Sequence, residues 1–142
     1  SAGMSIPSLS ASVPSDFRST EALVRQALAA EGFGVLTEID VRSTLRQKLG
    51  TEIEDYLILG VCNPSLAYQA LEIDRSVGML LPCTVVVRAG AAVGVTTVEA
   101  QDPTVMVALT GLAELQPVAD DAGARLRRAL ASLPSASVAM TR

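Results

Sequence analysis

The segment YLILGVCNPSLAYQALEID, Tyr56 to Asp74, constrains the fold more than any other. Its first part, Tyr56 to Cys62, is a short unbroken apolar run, which reads as a buried central strand. Asn63 then offers a side-chain oxygen to cap a helix. Pro64 suits the first helical position, where its missing N–H costs nothing. The helix PSLAYQALEID buries Leu66, Ala67, Ala70 and Leu71. A thiol, Cys62, therefore sits at the junction of strand and helix.

Similar punctuation recurs along the chain. SIPSLSASVP alternates weakly, and its prolines suit an edge strand. Ser15 opens a helix whose apolar face is Leu23, Val24, Ala27, Leu28 and Ala30, and Gly32 ends it. GVLTEIDV alternates as a half-buried strand, and Asp40 caps a helix that carries Val41, Leu45 and Leu49 on one side and stops at Gly50. MLLPCTVVVRAGAAVGVTTVEA reads as a hairpin that turns at Ala89 to Ala92, with Val93, Val95 and Thr97 alternating in its second strand. Asp102 and Pro103 start another helix, which Gly111 ends. Val118, Ala122, Leu126, Ala129 and Leu133 share one face of a last helix, from Pro117 to Leu133. Strands and helices in this order predict a two-layer α+β domain with a mostly antiparallel sheet. Residues 1–4 are expected to be an expression remnant or disordered start, 5–133 a single domain, and 134–142 a flexible tail.

Composition excludes several classes of function. Of the 142 residues 49% are hydrophobic but only 3% aromatic, so Val, Leu, Ile and Ala must build the core. The net charge of −4 and the lack of a Lys/Arg run argue against nucleic acid and against anionic membrane surfaces. No apolar run approaches the roughly 20 residues of a spanning helix, and no signal peptide is evident. With no histidine, His-based triads, His-containing zinc sites and a His general base are all ruled out. Two cysteines are too few for a disulfide framework and fit a cytoplasmic protein. A charged fraction of 18% is low and favours a homodimer that hides part of the surface.

Four ordered motifs carry a resemblance: EGFGVLTEIDVRSTLRQKLG, YLILGVCNPSLAYQAL, VGMLLPCTVVV and DPTVM. Their order and spacing resemble the domain-of-unknown-function 302 family, from about Ser5 to about Leu133. The resemblance implies helices on one face of a curved antiparallel sheet, in the TATA-box-binding-protein-like class, and a homodimer. It implies no activity.

The place to look for function is Cys62, Asn63, Pro64, Tyr68 and Cys83. A helix N-terminus favours a thiolate at Cys62. Cys83 opens the next apolar strand, and if the two strands pair, the thiols approach each other. Two thiolates suit Cu(I) or a disulfide cycle, whereas a structural zinc wants four ligands. Tyr68, one turn past Pro64, brings a hydroxyl towards Cys62. Against this stands the role of a free cysteine as a small buried hydrophobe. Glu38 and Asp40 share a strand face as an acid/base pair would, but Asp40 already has a capping role. GFG and AGAAVG lack a nucleotide-loop pattern. No catalytic residue and no cofactor are assigned. The leading expectation is a non-enzymatic dimeric binding module that takes a small apolar ligand in the cleft between helices and sheet. The alternative is a thiol-based redox or soft-metal protein that uses Cys62 and Cys83.

Overall fold

A computed structural model describes residues 8–134 and, as backbone, 137–141. In chain order the elements are β1 (Ser8–Val13), α1 (Phe17–Ala30), β2 (Gly34–Asp40), α2 (Val41–Leu49), β3 (Tyr56–Cys62) and α3 (Pro64–Ile73). After a 3₁₀ turn (Arg75–Leu80) come β4 (Cys83–Ala89), β5 (Thr96–Gln101), α4 (Val105–Thr110), α5 (Gln116–Ala131) and β6 (Ser137–Thr141). The strands form one sheet in the order β2-β3-β4-β5-β1-β6, antiparallel throughout. This is the α+β architecture expected from the sequence.

Strand alternation puts the apolar set on one face. Leu57, Leu59 and Val61 of β3, Val85 and Val87 of β4, and Leu9, Ala11 and Val13 of β1 are buried against α1 and α5. On the α5 side Leu126, Ala129 and Leu130 meet them, and Leu133 follows just past the helix. A second apolar cluster, with Leu66, Ala70, Val77, Met106 and Leu115, packs against Val118 and Ala122 of α5. The helix starts hold as expected at two places. Asp40 accepts from the Ser43 N–H at 2.9 Å, and Asn63 accepts from the Leu66 N–H at 3.3 Å.

Six expectations need correction. β1 is interior, not an edge, because Ser8–Val13 itself contains no proline and its two sides pair with β5 and β6. β6 lies inside the segment expected to be a tail. β2 is exposed along nearly its whole length, because it stands at the sheet edge while α1 and α5 cover the inner strands. No residue of α2 is buried, and Leu49 is exposed. Met79 is not in a strand, since Asp74 caps the 3₁₀ turn by accepting from the Ser76 N–H at 2.8 Å. The hairpin loop is longer than expected. Gly90 N–H donates to the Val95 carbonyl at 2.7 Å and Gly94 takes a φ of 76°. Val93 and Val95 therefore fall in the loop, and the buried positions of β5 are Thr96, Val98 and Ala100. The expected remnant at 1–4 lies outside the described residues.

Candidate functional site

Cys62 and Cys83 come together at one end of the sheet. β3 ends where β4 begins, and Val61 pairs directly with Cys83, one residue from Cys62. Strict alternation would send adjacent residues to opposite faces. The chain leaves the strand at Asn63, however, and both cysteines line one small pocket. The pocket lies at the seam between the two apolar clusters. Val61 and Phe33 belong to the first, and Leu66, Met106 and Ala122 to the second.

The pocket is nearly dry and nearly filled. Its free volume is ≈ 30 Å³, and Asn63 contributes the one polar side chain among its walls. Ligand sites for drug-sized molecules run to about 300–1,000 Å³. The space expected between helices and sheet is thus closed, because Phe33, Leu66, Leu81 and Met106 fill what the small Val and Ala side chains leave. What remains holds an ion or a water or two.

Burial governs the thiols. It pushes the Cys62 pKa up from the ordinary thiol value. Cys83 is pushed up by burial first and by the neighbouring Cys62 second. The helix N-terminus at Asn63 was expected to favour a thiolate, whereas burial moves the Cys62 thiol the other way. Both thiols are free rather than joined.

Asn63 is held from two sides. Its carbonyl oxygen caps α3, and its amide packs under Gly32, where an added Cβ would lie 2.9 Å from Asn63 Nδ2. Gly32 also has a φ of 83°, so the backbone and the close approach both call for glycine. Arg125 closes the same corner and donates to the Glu31 carbonyl at 3.3 Å.

Pro64 is the first residue of α3 and does not line the pocket. Tyr68 is 63% exposed and stands away from it. The helix turns about 200° in the two residues from Leu66, which faces inwards, so Tyr68 faces out. Glu38 is taken up by Arg25, and Asp40 by its cap. Sequence reasoning missed Met106 and Phe33. Met106 lies within the quoted DPTVM motif, but only the docking of α4 beside α3 and α5 brings it to the cysteines. Among the described residues no group of three or more His, Cys, Asp or Glu could hold a metal. No helix among them is long and apolar enough to cross a membrane.

Comparison with known proteins agrees with this architecture. A search of curated proteins finds no match. A solved structure, the crystal structure of uncharacterized conserved protein DUF302 from Bacillus stearothermophilus, superposes with a TM-score of 0.81. It is 31% identical and covers 89% of this chain and 97% of its own. The family described as Domain of unknown function DUF302 matches residues 9–133, most of the sheet and all five helices. The chain belongs to that family.

Proposed function

We propose that this domain is a non-enzymatic binding module of the cytoplasm that holds one soft, thiophilic cation between Cys62 and Cys83. The observation that carries this reading is that both thiols line a single apolar pocket of ionic size. A small apolar molecule, the leading expectation from sequence, does not fit ≈ 30 Å³. A reactive-thiol enzyme is disfavoured by the upward pKa shifts. A metal ion must compete with the more tightly held protons, but once bound it compensates the thiolate charge that burial disfavours.

Alkylation of the native protein, followed by intact mass, tests the reading. Both thiols should react slowly at neutral pH, with a rate that climbs only above the ordinary thiol value of about 8.5. One equivalent of Cu(I) should suppress the reaction further, and Zn(II) should not. Fast alkylation at pH 7, or no protection by Cu(I), overturns it. The stability contribution has a definite sign. A raised thiol pKa leaves it fully present below the unfolded-state value, and it is lost as pH rises towards the folded-state value.

A second observation favours self-association. Among the described residues no strand pairs with the outer edge of β2, and Leu36 and Ile39 are 65% and 51% exposed. Ile39 and the exposed Met79 also line a groove on the uncovered sheet face. The occupant we propose is a second copy, with β2 pairing antiparallel to its twin about Thr37. That register sets Val35 opposite Ile39 and Leu36 opposite Glu38, with no like charges facing. Light scattering should give a dimer, and Ile39→Lys should give a folded monomer. A wild-type monomer at all concentrations, or a dimer unaffected by Ile39→Lys, sinks this interface.

A further inference from the structure

Two sulfur ligands make a linear site, and the pocket supplies a third sulfur. Met106 is 5% exposed and lines the same pocket as Cys62 and Cys83. It comes from α4, a different element from either cysteine, so three elements, β3, β4 and α4, each bring one sulfur-bearing residue to the pocket.

We infer that Met106 is the third donor of a three-sulfur Cu(I) site formed with Cys62 and Cys83. The inference rests on the soft-cation reading above and gives it a metal and a coordination number. Soft thiolate and thioether donors select Cu(I) among common metals. Zinc would want four ligands, and the pocket walls offer no imidazole and no carboxylate. The near absence of polar walls offers little to hold a water and suits a poorly hydrated ion.

The charges and atoms balance without a redox step. Each thiol loses its proton to solvent and each sulfur forms a bond to the ion. The thioether binds through a lone pair and loses nothing. A cation of charge +1 with two thiolates leaves one net negative charge. α3 begins two residues after Cys62, at Pro64, so the partial positive charge of its N-terminus lies close to the bound ion's thiolates. Binding therefore releases two protons and tightens as pH rises.

The test is a Cu(I) competition titration against a chromophoric chelator, run anaerobically on wild type, Met106→Leu and the Cys62→Ser, Cys83→Ser double variant. Leucine keeps the volume and the apolar character of methionine, so the fold should hold. The expected result is one Cu(I) per chain in wild type and none in the double variant. Met106→Leu should bind roughly tenfold or more weakly, a loss of the order that disturbed ligand sets show. X-ray absorption on protein grown with selenomethionine gives a second readout that needs no substitution. Selenium should show a copper neighbour. If wild type takes Cu(I), the double variant does not, and both Met106→Leu and the selenium spectrum are unchanged, the third donor is wrong and the two-thiol reading stands. If wild type takes no Cu(I), both fall.

Discussion

Leu59→Ala is expected to lower the free energy of unfolding by about 2–5 kcal/mol. Leu59 has no exposed surface and sits in the middle of β3, between β2 and β4. Its side chain faces the helix layer, where Leu126 and Leu130 of α5 are held just as tightly. Truncation removes apolar surface and leaves a void that paired strands on both sides keep from collapsing. Urea unfolding followed by far-UV circular dichroism measures it, since the chain has no Trp. At roughly 2–4 °C per kcal/mol, the melting midpoint should fall visibly as well. Leu36→Ala is the internal control. Leu36 is 65% exposed on β2, and its truncation should stay within about 0.5 kcal/mol in the monomer. Equal losses at the two positions would show that the burial pattern is wrong.

The neighbouring residue makes the opposite prediction, that adding atoms destabilises. Gly60 is buried and faces the other side of the sheet from Leu59. A Cβ there would overlap Thr37 Oγ1 and come 2.7 Å from Pro82 Cγ. Glycine in a strand interior ordinarily costs about 0.5–1 kcal/mol relative to alanine, so Gly60→Ala would stabilise an open site. Here it should instead destabilise, and Gly60→Val should cost about 1–3 kcal/mol as an overpacked position. The Pro82 ring has no rotamer to escape into. Thr37 can be trimmed, so Thr37→Ala should recover part of the Gly60→Ala loss in a double-mutant cycle. Additive effects would mean that Thr37 does not meet the added Cβ, and a stabilising Gly60→Ala would mean that neither Thr37 nor the loop carrying Pro82 crowds β3 at this position.

The helical half of this fold was legible because its signals are local. The Asp40 and Asn63 caps, the Gly32, Gly50 and Gly111 stops and the Val118–Leu133 stripe each lie within a few residues of what they control. Which strand stands at the edge was not legible. The alternation of β1 and that of β2 look equally half-buried, and pairing between residues 8–13 and 96–101 decides which is covered. The phase of β5 was lost to the loop at Gly90–Val95, because Val93 and Val95 continue the alternating pattern after the strand has ended. At the site, the Cys62–Asn63 junction could be read, while the pairing of β3 with β4 stood only as a condition until the structure supplied it. Met106 could not, because nothing near it in sequence mentions the cysteines. Nor could the thiol titration, where the helix N-terminus is visible in the sequence and the burial that moves the thiol the other way is not.

The position of β1 also bears on how the molecule is made. Its neighbour β5 begins at Thr96, more than eighty residues downstream of the end of β1. During synthesis β2, β3 and β4 emerge consecutively and can pair as they come, while Leu9, Ala11 and Val13 stay without a partner strand until most of the domain has been translated. Late closure of the sheet around its first strand makes folding slow for a chain of this length and leaves an apolar segment open to chaperones or to aggregation in the interval.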